Sequence, residues 1–183
     1  MRLLILAAAL TLGCVAPAAA RTPGRSVSIP APAAADVATP ETIVAALYEV
    51  ISGDAGVTRD WDRFRYLFHP TARLMPSGMD RSGHGVIRSV TADEYITRSE
   101  PSLMAEGFHE REIARRAERF GHIAHVWSSY ESLHRLSDTQ PFARGINSIQ
   151  LFNDGSRWWI VSVYWQSETP AAPIPAEYLP PAS

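Results

Sequence analysis

A chain of 183 residues bounds the answer to one domain rather than two. Its 46% hydrophobic and 20% charged content is ordinary globular composition, and a formal net charge of -2 excludes a strong field steering it toward nucleic acid or anionic lipid. All 17 basic residues are Arg, so no lysine Schiff base can form; with Cys14 as the only cysteine, an intramolecular disulfide and a thiolate metal site are excluded as well.

Residues 1–20 read as a cleavable export signal. Arg2 supplies the positive start, residues 3–12 form an apolar run too short to span a bilayer as a helix, and Ala18-Ala19-Ala20 supplies the small residues that a signal peptidase inspects. Cleavage after Ala20 is expected, giving a periplasmic or secreted protein. The segment Leu10-Thr11-Leu12-Gly13-Cys14 resembles a lipoprotein box shifted by one position, so lipidation at Cys14 is the alternative, and only that form would sit on a membrane. Residues 21–38 are rich in Ala, Pro and Ser, lack any helical or strand period, and read as a flexible linker.

The folded part is expected over residues 39–169. Thr39 can cap and Pro40 suits the first helical position, after which Ile43, Ala46, Leu47, Val50 and Ile51 recur at helical spacing. Ser52-Gly53-Asp54 ends that helix. A second helix is predicted over 61–68, with Trp61, Phe64, Leu67 and Phe68 on one face and His69-Pro70 as its stop. Residues 71–76 read as a short extended segment and 77–90 as loop, punctuated by Gly78, Gly83 and Gly85. Thr91-Ala92-Asp93-Glu94 resembles a capped start for a third helix over 95–104, weakened by Pro101. From Gly107 the period changes to two, predicting strands over 108–120, 123–134, 145–152 and 158–167, the last two joined by the hairpin signal Asn153-Asp154-Gly155-Ser156. The strand over 108–120 carries mixed charge and reads as exposed. Residues 170–183 hold five of the 14 prolines and are expected to be irregular. Helices grouped before serial strands indicate an α+β fold with an antiparallel sheet covered by helices on one face.

Three stretches resemble the nuclear-transport-factor-2-like superfamily, and within it the SnoaL-like group. They are Leu67-Phe68-His69-Pro70-Thr71-Ala72-Arg73-Leu74, the run from His122 through Trp127 and Tyr130 to Glu131, and the run from Arg144 through Asn147 and Gln150 to Phe152 leading into Arg157-Trp158-Trp159-Ile160-Val161. The resemblance covers residues 39–168. It implies a cone, in which a bent antiparallel sheet wraps three N-terminal helices and the open end makes an apolar pocket. It also implies pairing into a homodimer through the outer sheet face. Function is not implied, since the superfamily spans isomerases, dehydratases, hydrolases and non-enzymes.

Placing the isomerase-like members' Asp on the segment after the second helix puts Pro76 there, and no acid occurs between Asp62 and Asp80. No complete acid–base set is therefore evident, and a pocket that binds a small apolar molecule is the first expectation, with no cofactor and no metal. Its expected walls are Leu74, Val126, Tyr130, Val163 and Trp165, with Ser148, Gln150 and Arg144 as polar groups. A slip of one residue in strand parity would exchange Ser148 and Gln150 for Asn147 and Ile149 as inward groups. The second expectation is an isomerase-, dehydratase- or hydrolase-type enzyme with His69 or His84 as base and Tyr95 or another Tyr, with Gln150, as donors. The third is a surface interaction module with a collapsed pocket.

Overall fold

The computed structural model describes residues 34–181. The expected export signal, Cys14 and most of the expected linker lie outside the described residues. Within that linker, Ala34–Val37 form a 3-10 turn whose Val37 is buried against the domain.

Helix α1 (Pro40–Ile51) starts at Thr39, where the capping is reciprocal. Thr42 donates its N–H to the Thr39 hydroxyl and Thr39 donates its N–H to the Thr42 hydroxyl, each at 3.1 Å. Helix α2 (Trp61–Leu67) is capped by Asp60, which accepts from the Arg63 N–H. Helix α3 (Ala92–Glu106) begins with a second reciprocal cap between Thr91 and Glu94. It runs through the exposed Pro101 to Gly107, two residues beyond the expected end. Gly107 has φ 73, and a side chain there would meet the His134 carbonyl at 2.6 Å, so only glycine fits.

Six strands form one sheet among the described residues: β1 (Phe68–Met79), β2 (Gly85–Ile87), β3 (His109–Phe120), β4 (Ile123–Leu133), β5 (Ala143–Asn153) and β6 (Trp158–Ser167), in the order β2-β1-β6-β5-β4-β3. The sheet is mixed, which corrects the all-antiparallel expectation. β3 to β6 pair antiparallel in series, but β1 lies parallel to β6, with Leu74 opposite Val163 and Pro76 opposite Trp165. The chain reaches β6, on the other side of β1 from β2, only after β2, α3 and β3 to β5, a connection long enough to allow a parallel pair. The expected loop over 77–90 is in part a hairpin, since β1 extends to Met79 and pairs with β2.

The helices cover one face of this sheet. Ile43, Phe64, Leu67, Val126, Ile149 and Ile160 are fully buried between the two layers. The C-terminal tail crosses the opposite face. Ile174 is buried there, the Ser129 hydroxyl donates to the Tyr178 carbonyl at 2.6 Å, and Arg116 lies over the Tyr178 ring.

Candidate functional site

The site is organised by the end of α1. Ser52 donates its hydroxyl to the Tyr48 carbonyl and accepts the Glu110 N–H at 3.0 Å, while Gly53 and Phe108 exchange both backbone hydrogen bonds. These contacts pin the start of β3 under α1. Cross-strand partners share a face, and the half-buried Glu110, Glu112 and Arg115 pair with Ser132, Tyr130 and Ser128, which are buried on the helix-covered side. A register shift between Glu112 and Ala114 breaks the strict alternation.

Glu110 therefore reaches a cavity of about 360 Å³ between the sheet and α3. The floor and walls come from Leu47 and Ile51 of α1, Phe64 of α2, Leu74 of β1, Tyr95 and Leu103 of α3, and Val163 and Trp165 of β6; Glu106, Gly107, His134 and Phe142 also line it. The Tyr95 ring stacks on Phe64 at 5.4 Å and stands edge-on to Trp165 at 6.3 Å.

Only neutral groups hydrogen-bond the Glu110 carboxylate. The Ser132 hydroxyl donates to it at 2.9 Å, and the Asn147 amide approaches at 3.5 Å. Asn147 also donates to the Tyr48 hydroxyl at 3.0 Å; Tyr48 contacts the Ser128 hydroxyl at 2.7 Å, and Ser128 donates to Glu112, which Arg115 neutralises at 2.7 Å. Glu110 and Glu112 thus have opposite environments. Glu112 has an Arg. Glu110 has none, and burial pushes its carboxyl up to about 7, with Ser132 and Asn147 pulling weakly the other way. Burial, followed by the charge of Glu110, raises the phenol of Tyr48 above its ordinary range. Tyr95 is raised by the same two causes in the same order. Tyr130 is pushed up to about 12 by burial, with the Glu110 charge a smaller cause.

Of the residues singled out in the sequence, Leu74, Tyr95, Tyr130, Val163 and Trp165 line this cavity. Val126 does not: it is fully buried in the core. Ser148 and Gln150 are corrected, because β5 takes the alternative parity. Asn147 and Ile149 are the buried pair, Ser148 contacts the His125 ring nitrogen at 3.0 Å, and Gln150 is exposed. Arg144, on that same opposite parity, lies 3.4 Å from Glu168 and does not line the cavity. His69 bonds Thr71 and stands edge-on to Trp159, and His84 is 82% exposed in the β1–β2 turn, so neither reaches the cavity. Glu110, Asn147 and Ser132 were not singled out as primary candidates. One available signal was that Glu110 and Glu112 share parity with Phe108, against Arg111.

The Tyr130 ring crosses directly over Gly145. A side chain there would meet the Gln166 carbonyl at 2.4 Å and the Tyr130 hydroxyl at 2.5 Å. Gly145→Ala is expected to cost about 1–3 kcal/mol and to displace Tyr130 from Ser167, which it contacts at 3.2 Å. Urea unfolding and near-ultraviolet circular dichroism measure both effects, and an unchanged midpoint and spectrum would disprove this account of the glycine.

No family profile matches the chain, and no curated protein matches it. Solved structures do. A nuclear-transport-factor-2-like protein of unknown function from Pseudomonas putida aligns at TM-score 0.54 and 7% identity, over 72% of this chain and 87% of that one. A protein of unknown function with a cystatin-like fold from Nostoc punctiforme aligns at 0.53 and 11%, over 76% and 99%. A candidate ketosteroid isomerase from Parabacteroides distasonis aligns at 0.50 and 15%, over 74% and 98%. At these identities the likeness is one of fold.

Proposed function

We propose, for a chain with the nuclear-transport-factor-2-like α+β fold, that the cavity is an acid–base pocket. It takes up a small, largely apolar molecule with which Glu110 exchanges a proton, while the Tyr95 or Tyr130 hydroxyl donates to the oxygen on which charge develops. The observation that carries this reading is one carboxyl, raised to about 7, facing an apolar cavity without a cation beside it. A general base works best when its pKa lies near the working pH, and burial has brought Glu110 there. Asn147 and Ser132 act as positioning residues: they hold the carboxylate and leave it open to the cavity. His69 and His84 lie away from the cavity, which argues against either as the base. In this proposal the domain works after export, either cut near Ala20 or lipidated at Cys14.

A pocket that holds its occupant without chemistry is the second reading. What favours it is that burial raises the phenols of Tyr95 and Tyr130 well above their ordinary range, so neither gives up its proton readily to complete an acid–base pair with Glu110.

Proton exchange can be tested without knowing the product. The protein is incubated in D2O with a panel of small cyclic ketones, with and without an amino substituent, and deuterium at the carbon beside the carbonyl is read by mass spectrometry. The wild type is expected to accelerate exchange on at least one member, and Glu110→Gln to lose about 10²–10⁴-fold of that rate. Exchange at the buffer rate for both proteins would favour the second reading.

A further inference from the structure

We propose that the occupant of this cavity is a small organic cation, a protonated or quaternary amine carried on a flat apolar body. The inference rests on the reading that Glu110 faces the occupant; it does not require that a proton be transferred. Three observations carry it. The first is the charge inside. Glu110 lines the cavity with neutral donors only, and Glu106 adds a second, largely solvent-exposed carboxylate to the lining.

The second is the lack of a countercharge. Among the described residues no Arg lines the cavity, and the chain has no Lys. The guanidinium groups around it are engaged elsewhere: Arg59 with backbone carbonyls, Arg111 with Glu131, Arg115 with Glu112, Arg144 beside Glu168. His134 also lines the cavity, where its ring stacks on Phe142 at 4.0 Å and its Nδ1 lies 3.3 Å from the Gly107 carbonyl and 3.9 Å from Glu106.

The third is the aromatic lining. Phe64, Tyr95, Phe108, Tyr130, Phe142 and Trp165 all border the space, and the Tyr95 and Trp165 planes meet at 81°, which forms a corner of two ring systems.

These features discriminate by charge. A carboxylate or phosphate ligand would meet the like charge of Glu110 with no Arg or Lys in the lining to offset it. A neutral ligand would leave the ionised Glu110 buried and unpaired, which is costly. An ammonium group supplies the missing countercharge, and ring faces set around it add attraction of their own. The apolar remainder of the cavity then takes the hydrocarbon body.

The test uses four ligands of similar size: benzyltrimethylammonium, benzylamine, benzyl alcohol and benzoate, titrated calorimetrically into the protein at about pH 8, where Glu110 is ionised. Both cations are expected to bind at least about tenfold tighter than the alcohol, a ratio equal to ~1.4 kcal/mol, and benzoate not to bind. Glu110→Gln should erase the cation preference without weakening the alcohol, and Trp165→Leu should weaken the quaternary ion while leaving Glu110 in place. Circular dichroism verifies that both variants fold. The proposal is overturned if the alcohol binds as tightly as the cations, if Glu110→Gln keeps the preference, or if neither cation binds at millimolar concentration. Deuterium exchange seen only on the neutral ketones would then preserve the proton-transfer reading while this ligand class fell.

Discussion

Glu110→Gln is expected to make the protein more stable at pH 8 and to leave its stability unchanged at pH 4. Glu110 has an ordinary carboxyl pKa near 4.5 in the unfolded chain and about 7 in the fold. Between those values the folded state binds more protons than the unfolded one, so stability falls as pH rises through the window. Below the window Glu110 is protonated in both states and makes no difference. Above it the whole penalty for burying the charge is present, on the order of 3 kcal/mol. Glutamine keeps the shape, still accepts from Ser132, and has no charge to bury. Urea unfolding of both proteins across this pH range gives two curves whose difference isolates Glu110, because every other titrating group is shared. The difference should open from near zero at acid pH to a plateau above neutrality. Parallel curves would mean that Glu110 ionises without cost, and the proton-exchange proposal would lose its basis. A more stable variant that has lost function is the expected signature of a residue retained for chemistry or recognition.

The second large effect is expected at Arg59, the buried hub behind the cavity wall. Its guanidinium donates to the carbonyls of Ile51 at 3.1 Å, Gly53 at 2.6 Å, Asp54 at 3.2 Å and Leu103 at 3.3 Å, and to Val57. It is only 5% exposed and has no carboxylate bonded to it. Burial lowers its pKa, but an Arg remains charged, and these carbonyl dipoles are what stabilise the cation. Ile51 and Leu103 belong to the last turns of α1 and α3, where helix dipoles favour a positive charge; the Leu103 carbonyl also accepts the Gly107 N–H at 3.2 Å. One side chain thus ties together the helix end that anchors Glu110 and the helix end that lines the cavity beside Gly107. Arg59→Met removes the donor from the Ile51 and Val57 carbonyls and a second donor from those of Gly53, Asp54 and Leu103, and is expected to cost about 3–5 kcal/mol, lowering the melting temperature by about 10 °C. Arg59→Lys, with one compact donor group in place of a fork, should recover only part of the loss. Scanning calorimetry decides the matter, and a melting temperature within about 1 °C of the wild type would refute this role.

The cavity's apolar walls were legible in the amino-acid order because they sit on elements with clean periods. Val163 and Trp165 are two apart on a strand bounded by a hairpin signal, and Tyr130 falls in a long alternating run. Glu110 was not legible. Its strand alternates in charge, and a period of two says that Glu110 and Glu112 share a face without saying which face is inward. The register shift after Glu112 then moves Arg115 onto the same buried side, so no continuous apolar face marks the inside. β5 shows the same limit more simply: a one-residue parity choice separates Asn147, which bonds Tyr48, from Ser148, which bonds His125 on the other face.

What the sequence by itself determined is local. The Thr39 and Thr91 caps, the helical spacing along α1, the change of period at Gly107, the serial antiparallel strands and the Asn153–Ser156 turn all follow from contacts within a few residues. The α+β order and four of the expected wall residues, Leu74, Tyr130, Val163 and Trp165, follow from those periods. Only the tertiary structure decided that β1 lies parallel to β6, that the tail covers the outer face at Ser129, and that Ser52 and Gly53 draw the start of β3 beneath α1. The physical reason is that desolvation acts between elements distant in the chain. A glutamate in a charged strand becomes a neutral-range carboxyl only when helices far along the sequence close over it and no arginine follows it in.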